Sequence, residues 1–130
     1  MKRTLIAALI ATATLTAGAA SAETVMAVES ELGPVLASSE TGLTLYTFRN
    51  DSDNTSNCYD DCASAWPPFA APASAQSEGA LGVIERRDGS RQYALNGQPL
   101  YFWAGDAEKG DVTGAGVGGD WDAVRQEGGC

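Results

Sequence analysis

Residues 42–51 read GLTLYTFRND, and the same pattern returns without gaps at residues 97–106 as GQPLYFWAGD. Each copy has a turn glycine, two residues, Leu-Tyr, any residue, an aromatic residue, two further residues and an aspartate. The copies are 55 residues apart, a spacing too long for a solenoid of many repeats in a chain of 130 residues. Two copies predict instead a β domain made of two pseudo-symmetric repeats.

The repeated segment places two aromatic side chains on one face of a strand. Side chains alternate along a strand, so the tyrosine and the aromatic residue two positions later share a face. In one interpretation these rings are core and each aspartate caps the turn after its strand. In the other, rings and carboxylates form a platform that stacks on a sugar ring or a flat organic ligand. The second interpretation gives six candidate ligand-binding residues: Tyr46, Phe48, Asp51, Tyr101, Trp103 and Asp106.

The two copies differ on their other face. Leu100 and Phe102 make the second copy apolar there, whereas the first copy has Leu45 and Thr47. A strand that is apolar on both faces is typical of a buried position in a sheet. We therefore expect the second strand to be central and the first to lie nearer an edge.

Turn signals outline hairpins around both copies. Asp88-Gly89 and Asn96-Gly97 tolerate the positive φ of tight turns and predict a three-stranded meander, and a turn at Gly42 predicts a hairpin. The predicted fold is mostly β, a small antiparallel domain of two pseudo-repeats built from hairpins. The predicted strands are residues 35–37, 43–48, 81–86, 92–95, 100–103 and 121–125.

One short helix is expected between the repeats, over residues 58–65, and it carries Cys58 and Cys62 one helical turn apart. Ser56 or Asn57 is the expected N-cap, because both side chains accept hydrogen bonds from the first backbone N–H groups of a helix.

Three interpretations of Cys58 and Cys62 compete: a structural disulfide, a redox pair and a soft-metal site. Acidic residues between the two cysteines raise the thiol pKa by repulsion, and the spacing is not Cys-x-x-Cys. Further metal ligands are limited to Met26, Cys130 and carboxylates. The disulfide is therefore the favoured interpretation, and no bound metal is expected.

The N-terminal segment of the chain predicts export. Residues 1–22 have the basic start, the short apolar run and the A-x-A site of a secretory signal peptide, with cleavage after Ala22. Their apolar run is about half of the ~20 residues that a transmembrane anchor needs.

The remaining residues divide into three parts. Residues 23–31 are expected to be an acidic lead-in, and residues 32–127 a single β-rich domain with repeat cores near 35–51 and 83–106. Residues 128–130 are expected to be a tail, and three states of its Cys130 stay open: a free thiol, an intermolecular disulfide, or a disulfide in which it displaces Cys58 or Cys62.

Composition excludes several classes of function. The chain has no histidine, so catalysis and metal binding that use an imidazole are ruled out. Cleavage after Ala22 removes Lys2 and Arg3, and their two positive charges take the formal net charge from −9 to −11. A protein this acidic is not expected to bind nucleic acid, which requires clustered Lys and Arg.

Taken together, the motifs resemble the bacterial family of secreted repeats of unknown function, also described as predicted lipoproteins with a conserved Tyr-x-(Phe/Trp/Tyr)-x-x-Asp motif. The resemblance covers residues 32–125. It rests on both copies of that motif, on Cys-x-x-x-Cys leading to Trp66-Pro67-Pro68, and on residues 110–114 before Trp121. It implies an exported protein, although the lipid-attachment cysteine common in that family is missing. The family has no assigned activity.

The sequence thus predicts a periplasmic or secreted binding or interaction module that is not an enzyme and needs no cofactor. Its expected partner is an unidentified envelope or extracellular protein or a small ligand, and no transmembrane segment is expected in the mature chain. The alternative is a thiol-redox or metal-handling periplasmic protein that uses Cys58 and Cys62.

Overall fold

Short antiparallel strands make up most of the regular structure. The computed structural model describes residues 24–126, so the predicted signal peptide, residues 1–22, and the tail, residues 128–130, lie outside the described residues. The helical segments are α1 (Asp61–Ala65) and a 3₁₀ turn (Val117–Gly119). The strands are β1 (Val25–Ser30), β2 (Gly33–Ser38), β3 (Tyr46–Phe48), β4 (Leu81–Glu85), β5 (Arg91–Leu95), β6 (Gln98–Pro99) and β7 (Trp121–Ala123). The prediction of a mostly β, antiparallel domain is confirmed.

The strand pairs follow the predicted turns, with one difference at the start of the chain. β4, β5 and β6 form the expected meander, and β3 pairs with β7. Residues 23–31 were expected to be a lead-in, but β1 lies within them and pairs with all six residues of β2. Its acidic Glu29 is exposed while Val28 is buried, so the local acidity marks the solvent-facing side of a strand. Gly33, with φ of 91°, completes the turn between the two strands.

The short helix is also shorter than expected. It begins at Asp61, not at Cys58, and the residue before it, Asp60, has φ of 56° and forms no side-chain cap. The predicted capping role of Ser56 or Asn57 is therefore wrong. Cys58 precedes the helix, Cys62 lies in it, and the two form a disulfide with Cα atoms 5.2 Å apart.

Tyr46 and Tyr101, the equivalent tyrosines of the two repeats, face each other at the centre of the molecule. Each backbone N–H donates to the carbonyl oxygen of the other, at 2.8 and 2.9 Å. β3 has a partner on each side, β7 and the segment at Tyr101, and Leu45 and Leu100, just before the two tyrosines, are fully buried. The expectation that the first strand lies nearer an edge is therefore wrong.

The chain that follows each motif crosses to the motif of the other repeat. The Val124 N–H donates to the Leu45 carbonyl at 3.0 Å, and 55 residues earlier the Phe69 N–H donates to the Leu100 carbonyl at 2.9 Å. Leu36 and Tyr93 close each set into a ring of three backbone hydrogen bonds. The rings are Leu36 to Val124, Val124 to Leu45 and Leu45 to Leu36, and Tyr93 to Phe69, Phe69 to Leu100 and Leu100 to Tyr93.

A stack of four aromatic rings fills the core on the tyrosine side. Trp66 and Trp121 are again 55 residues apart, and their rings are parallel, with centroids 3.8 Å apart and 2° between the planes. Phe48 packs on Trp121 at 4.2 Å, and Trp103 packs on Trp66 at 4.3 Å. Tyr46 forms a T-shaped contact with Trp66 and Tyr101 with Trp121, with ring centroids 5.3 and 5.2 Å apart. The pseudo-symmetry of the sequence therefore extends to the packing.

Gly114 tests this packing. A Cβ atom there would lie 2.7 Å from Cγ of Trp103 and 2.8 Å from Cη2 of Trp66, two rings held by the stack. We expect Gly114→Ala to reduce the free energy of unfolding by about 1–3 kcal/mol, as overpacking does in other cores. Urea unfolding followed by tryptophan fluorescence measures the change.

The matched control is Gly82→Ala on β4, where the nearest heavy atom is 3.7 Å from the added carbon and φ is not positive. It should change the stability little. Equal effects of Gly114→Ala and Gly82→Ala would contradict a tightly closed stack.

Candidate functional site

The two motif tyrosines each bind the aspartate of the other repeat. The Tyr46 hydroxyl donates to Oδ2 of Asp106 at 2.7 Å, and the Tyr101 hydroxyl donates to Oδ2 of Asp51, also at 2.7 Å. Tyr46 and Asp51 belong to the first copy of the motif, and Tyr101 and Asp106 to the second. The repeated sequence therefore encodes a reciprocal exchange of hydrogen bonds between the two halves of the molecule.

The second oxygen of each aspartate fixes the loop that follows its motif. Oδ1 of Asp51 accepts the Asn57 backbone N–H at 2.7 Å. Oδ1 of Asp106 accepts the Thr113 backbone N–H at 3.0 Å and its hydroxyl at 2.6 Å. Each carboxylate thus joins its own loop to the tyrosine of the opposite repeat.

Burial shapes the acidity of these groups. Both tyrosine side chains are fully buried, which raises the pKa of each hydroxyl well above the usual value of about 10. The carboxylate that each hydroxyl faces raises its pKa further. Burial also raises the pKa of the Asp51 carboxyl, while the Asn57 N–H, the Tyr101 hydroxyl and the charge of Arg86 oppose that rise.

The surroundings of Tyr101 contain a buried cation. Arg86 is only 5% exposed, and its guanidinium donates to Oγ of Ser56 at 2.9 Å, to Oε1 of Gln92 at 2.8 Å and to the Cys58 carbonyl at 2.7 Å. Oγ of Ser56 lies 2.5 Å from the Tyr101 hydroxyl. Since that hydroxyl donates to Asp51, Ser56 is the donor in its bond to Tyr101. The buried network therefore connects the disulfide segment to the aspartate of the first repeat.

The surroundings of Tyr46 contain no such cation among the described residues. Its hydroxyl accepts the Gly114 backbone N–H at 3.2 Å in addition to donating to Asp106. Nearby, the Thr44 hydroxyl donates to the Asp111 carbonyl at 2.7 Å. The two halves share the tyrosine–aspartate exchange and differ in what surrounds it.

The six candidate residues do not form one platform. Tyr46, Tyr101 and Asp106 are buried, whereas Phe48, Asp51 and Trp103 are half-buried. A groove of about 340 Å³ opens beside two of the half-buried residues, and Trp103 is not among those that line it. This groove, called the Phe48 groove below, is lined by Phe48, Arg49, Asp51, Ser52, Asp53, Asn96, Gln98 and Pro99. Whether the six residues contact a ligand stays a prediction.

Both repeats build the Phe48 groove. The first repeat supplies residues 48–53, and the turn of the second repeat supplies residues 96–99. Gly97 has φ of 85° and no Cβ, which leaves room for the Asp53 carboxylate. The Asn54 N–H donates to the Gly97 carbonyl at 2.7 Å. At the equivalent glycine of the first repeat, Gly42, the Lys109 side chain packs instead, 3.4 Å from the position of a Cβ.

Four buried residues of the core and the site, Trp66, Arg86, Gln92 and Trp121, are not among the six candidate residues. The equivalence of Trp66 and Trp121 had a signal, since the same 55-residue spacing that links the motifs links the two tryptophans. Arg86 and Gln92 had none, because polar residues of a hairpin are usually assigned to the solvent side.

The described residues contain neither a membrane-spanning helix nor a cluster of metal ligands. Within residues 24–126, no helix is long and apolar enough to span a bilayer. Over the same residues, no three histidine, cysteine or acidic side chains are grouped so as to hold a metal ion.

These features define a β domain of two repeats that complete each other through buried tyrosine–aspartate bonds. A family model described as a secreted repeat of unknown function matches residues 26–70 and again residues 82–125. The chain belongs to this family, and its assignment to secreted proteins supports export. The matches begin within β1 and β4, the first strand of each repeat, and end just after the segments that contain Trp66 and Trp121. Neither a curated protein nor a solved structure matches the chain significantly.

The buried tyrosines predict a loss of stability in alkali. Below pH 10 they are protonated in both the folded and the unfolded chain. Above it, only the unfolded chain releases their protons readily, so the free energy of unfolding falls by up to about 1.4 kcal/mol per pH unit for each tyrosine. Urea unfolding at several pH values between about 8 and 11.5, on either side of the free tyrosine pKa of about 10, measures this slope.

Tyr46→Phe supplies the comparison, since it removes one of the two groups and leaves the ring in place. Its slope above pH 10 should be clearly smaller than that of the parent protein. The same pH dependence in both proteins would contradict a buried, protonated Tyr46.

Proposed function

We propose that the protein is an exported binding module without catalytic activity, and that its ligand site is the Phe48 groove. Removal of residues 1–22 would release the mature chain into the periplasm or the medium. The ligand class that fits the groove is a neutral, polyhydroxylated molecule such as a sugar.

The observation that carries the proposal is the combination of side chains in one groove. Phe48 offers part of an aromatic ring, Asp51 and Asp53 offer carboxylates, and Asn96 and Gln98 offer amides. Sugar rings present C–H faces that pack on aromatic rings and hydroxyls that bind carboxylates and amides. The volume of about 340 Å³ lies within the range of small-molecule sites, about 300–1,000 Å³.

The groove is held in shape before any ligand arrives. The Phe48 ring is packed against Trp121, with 12° between the planes, and both oxygens of Asp51 are fixed by Tyr101 and Asn57. A side chain that is already fixed loses little conformational entropy on binding, which favours affinity. The core beneath the groove thus serves to hold the side chains of the groove rigid.

The electrostatics of the groove favour a ligand without negative charge. Its one arginine, Arg49, forms a two-pronged ion pair with Asp122, at 2.8 and 2.9 Å. Asp51 and Asp53 therefore contribute negative charge that Arg49 does not offset, in a protein whose formal charge is already −9.

Binding suits this site better than catalysis does. Each oxygen of Asp51 already accepts one hydrogen bond and keeps a further lone pair for a ligand hydroxyl, so this carboxylate is arranged to orient a ligand. Thiol chemistry has less support than ligand binding, because Cys58 and Cys62 are joined in a disulfide and Cys58 is fully buried.

The test is a titration of the ¹⁵N-labelled mature protein with glucose, galactose, N-acetylglucosamine and maltose, followed by amide chemical shifts. At least one sugar should shift amides of residues 48–53 and 96–99 in a saturable manner. Asp53→Asn or Gln98→Ala should weaken that binding by about three- to tenfold, the effect of losing one hydrogen bond.

Glu85→Gln is the control, an exposed acidic residue on β4 outside the groove. It should bind as the parent protein does. Absence of any shift in the groove with all four sugars, or equal binding by all variants, would overturn the proposal.

A further inference from the structure

The contacts that join the two repeats have a consequence for assembly. The strand pair of Tyr46 and Tyr101, the Trp66–Trp121 stack and both tyrosine–aspartate bonds all join one repeat to the other. A single repeat has only half of each contact, and a second copy of the same chain carries the missing half.

We propose that two copies of this chain exchange repeats to form a dimer, and that Arg91 holds the chain in its monomeric form. In the dimer, residues 24–71 of one copy fold against residues 81–126 of the other. Each folded unit then keeps the contacts between the repeats, so the two forms differ in the path of the linking chain and in the Arg91 contacts that depend on that path.

The linking segment, residues 72–80, is hydrogen-bonded to the second repeat at its end, where Glu78 pairs with Leu81 and the Ala80 carbonyl accepts the Asn96 N–H. Most of it is exposed, and its sequence, PASAQSEGA, is rich in small residues. The main side chain that fixes it is Arg91, whose guanidinium donates to the carbonyl oxygens of Pro72, Ala73 and Ala75. Loss of the Arg91 contacts would therefore free the first part of the linker, residues 72–77, while leaving the interface between the repeats intact.

The length of the linker is what permits the monomer. The Ala71 N–H donates to the Arg91 carbonyl, and Leu81 pairs with Leu95 at the other end of β5. The four steps of β5 from Arg91 to Leu95 span about 13 Å. The linker must cover at least that distance for one chain to fold on itself.

Removal of residues 73–79 makes this closure impossible. Only Pro72 and Ala80 then remain between Ala71 and Leu81, and three extended steps reach about 10–11 Å. The shortened chain satisfies its contacts only by pairing with a second copy.

The dimer would also change the Phe48 groove. Residues 48–53 and 96–99 come from different repeats, so each groove in the dimer combines residues of two copies. A repeat-exchanged dimer therefore presents two complete grooves. The exchange itself rests on the contacts between the repeats and stands whether or not the groove binds a sugar.

Light scattering coupled to size-exclusion chromatography tests the proposal. Every protein carries Cys130→Ser, so that an intermolecular disulfide cannot produce a dimer. The mature protein lacking residues 73–79 should elute as a dimer with the tryptophan near-UV circular dichroism of the parent. A folded monomer would overturn the proposal.

Arg91→Ala in the full-length linker tests it independently, should the shortened chain fail to fold. After refolding at high concentration, its dimer fraction should exceed that of the parent severalfold, and Arg87→Ala, which contacts Tyr59 and not the linker, should match the parent. The isolated dimer should persist on dilution until urea unfolds it. An unchanged dimer fraction in Arg91→Ala, or a dimer that dissociates promptly on dilution, would overturn the proposal.

Discussion

The structure depends on the exchange of hydrogen bonds between Tyr46 and Asp106 and between Tyr101 and Asp51. A buried hydroxyl or carboxylate without a partner destabilises a fold by about 1–3 kcal/mol, so each tyrosine requires the opposite repeat to be in place. Each aspartate also holds the loop after its own motif, and those loops lead to the tryptophans that stack at the centre. One motif thus specifies the contact between the repeats, the loops and the aromatic core.

The same frame supports two different surroundings. Around the Tyr101–Asp51 pair lie Ser56, Arg86 and Gln92, and the Phe48 groove opens beside Asp51. Around the Tyr46–Asp106 pair lie Thr113 and Gly114, and Lys109 packs beside Gly42 as Asp53 packs beside Gly97 at the groove. The shared contacts fix the positions of both loops, and this leaves the residues around one of them available for recognition. The proposed function therefore follows from the asymmetry and not from the motif itself.

Much of this architecture could be predicted from the residues, because the repeat and the turn signals are local patterns. The meander around Asp88-Gly89 and Asn96-Gly97, the pairing of Cys58 with Cys62 and the family were found that way. The partner of each tyrosine could not be predicted, since the spacing within one copy of the motif does not reveal that the hydrogen bond crosses to the other copy. The burial of Arg86 could not be predicted because it depends on groups 28 and 30 residues away. The start of α1 could not be predicted because Ser56 binds Arg86 and Tyr101 instead of capping a helix.

Double-mutant cycles test the reciprocal exchange most directly. The free energy of unfolding is measured for Tyr46→Phe, Asp106→Ala and Asp51→Ala, and for Tyr46→Phe combined with each alanine variant. The structure predicts a coupling of about 1–3 kcal/mol between Tyr46 and Asp106, as for a buried, charge-assisted hydrogen bond, and a clearly smaller one between Tyr46 and Asp51. A stronger coupling of Tyr46 to Asp51, the aspartate of its own copy, would contradict the exchange on which the fold depends.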